Sequence, residues 1–257
     1  MHVYINLFGR AIPAYGLMII TGVLVANLVA MYFSKKENTD FNDIVIIECY
    51  AVLGGFLGAK LLYLITAFGY IDWGRLTDME YLASLIQGGF VFYGGLIGGL
   101  ITVFVAGRLQ KIDALYYVRS YICLVPLVHG FGRIGCFMAG CCYGIPYHGA
   151  FSVVFPENSY ALSGVELFPV QLVEAICLIL LSILLMYLRF FVKFDYTLEL
   201  YLFLYGIIRF VLENFRYDAV RGEILGLSTS QWISAGFIVL AILLFVTSRN
   251  KGKIKDC

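Results

Sequence analysis

Three groups of residues in this chain combine residue types and spacings that chemistry can use. In YGIIRFVLENFR, Tyr205, Arg209 and Glu213 recur every four positions, and Arg216 follows three later. On a helix that period places a phenol, a guanidinium and a carboxylate on one face. The planar fork of an arginine fits two phosphate oxygens at once, so the stripe suits an anionic ligand. The competing reading is an Arg209–Glu213 pair that only neutralises itself. The second group is HGFGRIGCFMAGCCYG, His129 through Gly144. Gly130, Gly132 and Gly135 spell G-x-G-x-x-G, but no strand precedes them and no βαβ unit follows, so a dinucleotide site is excluded. The glycines still allow close approach of backbone or ligand, and Arg133 adds a fixed positive charge among them. Packing through small residues explains the glycines and leaves the arginine unexplained. The third group is Cys136, Cys141 and Cys142. With His129 and His148 nearby they are candidate metal ligands, although C-x4-C-C is not the usual zinc spacing. A thiol beside Arg133 is also a candidate nucleophile. A disulfide and plain packing against the glycines are the remaining readings. The sequence leaves these open, assigns no metal, and implies no soluble cofactor.

The elements that must position these groups are membrane helices. The 257 residues are 61% hydrophobic and 14% charged, against roughly half and a quarter in soluble domains. Mean hydropathy is +0.87. The 21 Phe and 19 Tyr suit interfacial belts. A formal charge of +1 argues against a nucleic-acid partner. With about 20 apolar residues needed per crossing, the expectation is an all-α polytopic membrane protein of about seven transmembrane helices. They fall near Pro13–Phe33, Ile44–Phe68, Gly88–Gly107, Ala114–Phe137, Gln171–Phe190, Leu198–Phe215 and Trp232–Thr247. The start has no basic segment before an apolar core, so the first span is expected to remain as a helix. No repeat or second domain is evident, and residues 1–257 read as one integral membrane domain.

Lys35, Lys36, Arg108, Lys111, Arg119, Arg189, Lys193, Arg249, Lys251, Lys253 and Lys255 all fall on one side of this arrangement. That side is expected to be cytoplasmic. The N-terminus is then outside and the C-terminus inside. The opposite loops carry Arg75, Arg216 and Arg221, and Met138–Pro169, free of Lys and Arg, forms an outer cap. The segment Trp73–Leu85 is expected to lie along the membrane surface.

Charges inside spans cost about 2.5–3.5 kcal/mol each and mark function by default. Lys60, Arg133, Arg209 and Glu213 lie in or at the outer ends of spans, with Glu48 and Glu174 nearer the ends. Tyr93 stands between glycine pairs in GGFVFYGGLIGG, and Tyr15-Gly16 is similar. Taken alone, Tyr15 reads as an interface anchor. Cys49, Cys123 and Cys177 lie in apolar runs and read as packing residues; with Cys257 the count is seven, which gives no disulfide framework.

At these residues the sequence resembles the prolipoprotein diacylglyceryl transferase family. The family's Gly-Arg-Ile-Gly-Asn-Phe, Gly-Glu and aromatic-Gly are similar to Gly132–Phe137, Gly140-Cys141 and Tyr143-Gly144. Its Tyr-Gly-Leu-Met matches Tyr15–Met18, and its Gly-Gly-Leu-Ile-Gly matches Gly94–Gly98. Pro-x-Gln-Leu-x-Glu matches Pro169, Gln171, Leu172 and Glu174, and the last motif matches Tyr205, Gly206, Arg209, Glu213 and Arg216. The departures are Cys136 for Asn, Cys141 for Glu, Tyr93 and Phe168 for His, and Phe56 for Arg, with Lys60 one turn on.

The resemblance implies a seven-helix bacterial inner-membrane enzyme. It moves a diacylglyceryl group from phosphatidylglycerol to the lipobox cysteine of a prolipoprotein signal peptide, releasing glycerol phosphate. Arg133 and Arg209 would hold the phosphate and Glu213 would orient Arg209. Tyr15, Tyr205 and Gly144 would line the lipid pocket, with Gln171, Glu174 and Arg216 also binding substrate. Tyr93 would stand near the acceptor, where a phenol of ordinary pKa about 10 is a poor base. Two rivals remain. In one, Cys136 or Cys141 is catalytic and the acceptor differs; in the other, the chain transports or binds lipid without turnover, although no inverted repeat supports transport.

Overall fold

The computed structural model describes residues 3–7, 9–217 and 223–255; Arg221 and Cys257 lie outside them. Two compact units emerge: Met1–Phe33 with Val118–Cys257, and Ser34–Tyr117.

The second unit is built on α2 (Phe41–Thr66) and α4 (Phe92–Gln110), which pack against each other. Glycines set their separation. A Cβ on Gly58 would fall 2.2 Å from the Gly94 carbonyl, and one on Gly98 would fall 2.3 Å from that of Gly54. Where lipid surrounds the helices, such small residues let backbones touch. The Thr102 hydroxyl donates to the Tyr50 carbonyl across the contact (2.7 Å). Between these helices lies α3 (Met79–Gln87), within the stretch expected to be amphipathic. Asp78 caps it by accepting from the amides of Glu80 and Tyr81 and pairs with Arg75 at 2.9 Å. Lys60 finds its partners in this unit: its ammonium donates to the carbonyls of Leu85, Ile86 and Gly88. The charge inside α2 is thus answered by carbonyls at the end of α3.

In the first unit, β1 (Tyr4–Leu7) and β2 (Arg10–Pro13) form an antiparallel hairpin ahead of α1 (Ala14–Glu37). The fourth expected span is not continuous. It comprises α5 (Ala114–Tyr121), a 3-10 turn (Ile122–Leu124) and α6 (Val125–Ala139). Pro126 begins α6, where its missing N–H costs nothing. Then follow α7 (Val170–Phe190), α8 (Thr197–Glu213) and α9 (Thr229–Lys255). Neighbours pack in sequence, α6 on α7, α7 on α8 and α8 on α9. Helix α1 reaches α6 at Gly22, where an added Cβ would lie 2.7 Å from that of Phe131, and at Gly135, which the Tyr15 backbone crosses.

Six segments are long and apolar enough to cross a membrane: Ala14–Glu37, Phe41–Thr66, Phe92–Gln110, Ala114–Ala139, Val170–Phe190 and Thr229–Arg249. The remaining expected span is α8, with 17 residues, roughly 25 Å of helix at 1.5 Å per residue. It carries Glu199, Arg209 and Glu213. Leu24, Leu28, Leu57, Leu61, Leu180 and Leu243 all point outward. Such faces suit hydrocarbon, and the helical backbone satisfies its own polar groups there. The protein is a polytopic all-α membrane protein.

Between α6 and α7 the chain forms a small cap. Strands β3 (Val153–Val154) and β4 (Glu166–Leu167) pair antiparallel. Phe155, Ala161 and Leu167 are its core, packed by Phe137 and Tyr143. One further short hairpin, β5 (Glu223–Ile224) with β6 (Leu227–Ser228), precedes α9.

Candidate active site

Four of the charged residues that were unfavourable in spans, Arg133, Glu174, Arg209 and Glu213, converge inside the first unit. Glu174 on α7 is the hub, at 1% exposure. One of its oxygens lies 3.0 Å from Nε of Arg133 on α6 and 3.9 Å from Nη1 of Arg209 on α8. The other is 4.0 Å from Nε2 of His129. Arg209 also pairs with Glu213 one turn along its own helix and donates to the Ser230 hydroxyl (3.3 Å). The Ser228 hydroxyl donates to Glu213 (3.1 Å). Gln231 donates to Asn214 (3.2 Å) and accepts the Ser228 amide (3.0 Å), tying the start of α9 to the end of α8.

Two features make the cluster more than a neutralised pair. The carboxylates of Glu174 and Glu213 face the guanidinia of Arg133 and Arg209, so each charge is compensated and burial is tolerable. Yet Glu174 meets Arg133 through Nε, the inner edge of the guanidinium. No hydrogen bond among the described residues reaches the two terminal nitrogens of Arg133, and these form the fork that grips phosphate. Beside the cluster, Tyr205 stacks on Tyr201 at 5.7 Å and lies 5.7 Å from the His129 ring.

The turn after α6 holds the third group. Gly140 closes the helix with φ +76°, a left-handed conformation that suits glycine. Cys142 follows at φ +56° without that freedom. The doubling back brings the sulfurs of Cys136, Cys141 and Cys142 within 4.8 Å of one another. Bonds from the Cys136 and Cys141 thiols hold Cys142 well below the ordinary thiol range, aided by Arg216 and Arg133. The bonds to Cys136 and Cys142 push Cys141 up. Gln171, as buried as Glu174, donates to the Cys141 carbonyl at 2.9 Å. Gln171 and Glu174 share one turn of α7, so the cysteine turn is tied to the ion cluster.

Gly144 pairs backbone to backbone with Arg216, whose side chain is buried. A Cβ on Gly144 would fall 2.3 Å from the Phe168 carbonyl and 2.9 Å from that of Phe215. Only glycine fits between these two chains. Phe168 lies over Phe215 with ring centroids 5.3 Å apart.

The structure thus gathers Arg133, Glu174, Tyr205, Arg209 and Glu213 into one cluster, with Gln171, Cys136, Cys141, Gly144 and Arg216 joined to it by the turns just described. Tyr15 contributes its backbone against Gly135, and its side chain is 44% exposed. Tyr93 stands in the first turn of α4, in the other unit, its ring edge-on to Phe92 at 5.8 Å. Spacing also named two histidines beside the thiols. His148 instead pairs with Glu166 at 2.9 Å, and His129 faces Glu174. Ser228, Ser230, Gln231 and Asn214 were not singled out by sequence. They are common polar residues outside any motif, and only the fold brings them to Arg209 and Glu213.

Spanning helices around a buried, balanced ion cluster with one open guanidinium edge define a polytopic membrane protein built for chemistry in its interior. The chain belongs to the prolipoprotein diacylglyceryl transferase family, whose model matches residues 2–247. It is 37% identical over 248 residues to a phosphatidylglycerol–prolipoprotein diacylglyceryl transferase of Clostridium tetani (96% of this chain, 97% of the relative). A relative of the same name, numbered 2, from Clostridium perfringens is 33% identical over 249 residues (96% and 95%). A third, from Finegoldia magna, is 29% identical over 248 residues (96% and 95%). The chain is a membrane-embedded transferase.

Proposed function

We propose that this chain moves the diacylglyceryl group of phosphatidylglycerol to the lipobox cysteine of a prolipoprotein, at the outer face of the bacterial cytoplasmic membrane. The relatives from Clostridium tetani and Clostridium perfringens are named for phosphatidylglycerol and prolipoprotein. The observation that carries the reading is Glu174 bridging two largely buried arginines, while no hydrogen bond among the described residues reaches the terminal nitrogens of Arg133. The acceptor thiolate attacks the glyceryl carbon that bears the phosphate ester. A C–S bond forms, the C–O bond breaks, and its electron pair leaves on the phosphate oxygen of glycerol phosphate. The proton of the acceptor thiol is lost before or during attack. Arg133 and Arg209 stabilise the charge that grows on the leaving phosphate, because donors fixed in a dry site need no reorganisation. Glu174 and Glu213 position them. Tyr205, Tyr15, Gly144 and Arg216 line the lipid side, and Gln171 fixes the Cys141 turn. The Lys and Arg bias favours an N-terminus outside and a C-terminus inside.

The test is transfer of label from phosphatidylglycerol to a lipobox peptide, with Arg133→Ala and Arg209→Ala beside it. Labelled peptide that depends on both arginines supports the reading. Arginine-dependent glycerol phosphate release with label in another molecule overturns the acceptor, and lipid binding without turnover overturns the reaction.

A further inference from the structure

We propose that Cys136, Cys141 and Cys142 form a three-thiolate site for one zinc-class ion, whose fourth position takes the thiol that is to be lipidated. The proposal rests on the transferase reading above and supplies what it lacks, a group that makes the acceptor a thiolate at neutral pH.

Geometry comes first. The three sulfurs lie within 4.8 Å of one another. Zinc–sulfur bonds of about 2.3 Å in a tetrahedron put sulfurs roughly 3.8 Å apart, so closing on an ion takes about 1 Å of side-chain movement. The ligands come from a rigid element and its cap. Cys136 is in the last turn of α6, and Gly140 reverses the chain so that Cys141 and Cys142 return to it. Cys142 is held at φ +56°, a conformation uncommon for a side-chain-bearing residue. The Cys141 backbone is pinned from both sides: its amide donates to the Cys136 carbonyl (3.1 Å), and its carbonyl accepts from Gln171. Among the described residues no histidine or carboxylate joins the sulfurs within that span. Three thiolates and no fourth protein donor match a zinc site with an open position.

Charge and placement agree. Three thiolates and a divalent cation leave one net negative charge, and Arg133 lies one turn before Cys136 on the same helix. Cys136 is buried while Cys141 and Cys142 are partly exposed, so the open position faces outward. A metal deprotonates a coordinating thiol outright. An acceptor R–SH bound in the fourth position would release its proton to water and keep its sulfur as a metal-bound thiolate. That sulfur would then attack the glyceryl carbon, and the C–O electron pair would leave with the phosphate beside Arg133. No redox partner is needed, since no oxidation state changes.

The experiment measures metal per chain in the full-length protein purified in detergent from zinc-supplemented cells. Cys136→Ser, Cys141→Ser and Cys142→Ser are compared with Cys49→Ser, a residue of the other unit. The expected result is about one zinc per chain in the parent and in Cys49→Ser, and at least a tenfold loss in each of the other three. Cobalt loaded into the parent should show thiolate-to-metal charge transfer that changes when a lipobox peptide is added. If the serine variants fail to fold, the parent alone decides: iodoacetamide should label the three cysteines only after chelation. Zinc that survives the substitutions, or thiols equally labelled before and after chelation, overturns the site. Apo-protein that transfers lipid at the full rate overturns the role in thiol activation and leaves the transferase reading standing. Zinc-loaded protein with no transfer at all counts against the transferase reading instead.

Discussion

Replacing Glu174 with glutamine removes the carboxylate that faces two largely buried guanidinia, at 3.0 Å and 3.9 Å. At an effective dielectric of about 20, attraction over such distances is roughly 4–6 kcal/mol per pair before desolvation is counted. Breaking a buried pair by deleting one partner costs about 3–5 kcal/mol, because the other charge stays buried and uncompensated. Glu174→Gln takes from Arg133 its carboxylate partner and leaves Arg209 with Glu213, so a loss of that size is expected in thermal or denaturant unfolding of the detergent-solubilised protein. The double variant Arg133→Met with Glu174→Met leaves Arg209 with Glu213, one charge against one. It should therefore be less destabilised than the sum of its two singles, by more than the ~0.5 kcal/mol scatter of additive sites. Circular dichroism melts of the four proteins close the cycle. Additivity within that scatter would refute the hub, and so would a Glu174→Gln protein as stable as the parent.

Gly144→Ala should lose about 1–3 kcal/mol or more, with activity, because its Cβ meets two backbone carbonyls that cannot turn away; Gly132→Ala, with no neighbour nearer than 3.9 Å, should unfold within about 0.5 kcal/mol of the parent. Gly58→Ala should separate α2 from α4, read as a lower melting temperature and faster proteolysis in residues 34–117, since its Cβ would lie 2.2 Å from the Gly94 carbonyl. The bond to Arg75, then the amides of Tyr81 and Glu80, hold the Asp78 carboxyl below its ordinary value. The stabilisation is present above the unfolded-state pKa and is lost as pH falls through the lower folded one, so the protection of the α3 amides, taken against their intrinsic exchange rate at each pH, should fall on acidification in the parent and not in Asp78→Ala.

Periodicity made the helices legible, and it made Tyr205, Arg209 and Glu213 legible as one face. The intramembrane charge rule marked Arg133 without any structure. What it could not give was the partner. Glu174 is 41 residues from Arg133 and 35 from Arg209 along the chain, and no local period links three helices. Sequence therefore offered only the Arg209–Glu213 pair and set Glu174 near a helix end, whereas packing of α6, α7 and α8 makes it the hub. The cysteines taught the opposite lesson. The C-x4-C-C spacing was only a weak signal for a metal and left the state of the three thiols open, because spacing rules assume a particular turn. Here a left-handed glycine and a left-handed cysteine fold the turn more tightly. Lys60 was read as a charge in a span, and its partners are main-chain carbonyls some 25 residues on, which no side-chain pattern reveals. The short α8 was legible as a span, yet its 17 residues and three buried charges place it among partners rather than against lipid.

The most direct test is transfer from radiolabelled phosphatidylglycerol to a lipobox peptide by the purified protein in phosphatidylglycerol-containing vesicles, with Arg133→Lys and Arg209→Lys measured alongside. Lysine keeps the charge and loses the fork, and removing one donor from such a site typically costs about a hundredfold or more in rate. The expected result is labelled peptide from the parent and a fall of that order in each variant, with folding retained. Full transfer by both lysine variants, or none by the parent in a membrane where it is folded, would contradict the claim that these two arginines carry the phosphate through the reaction.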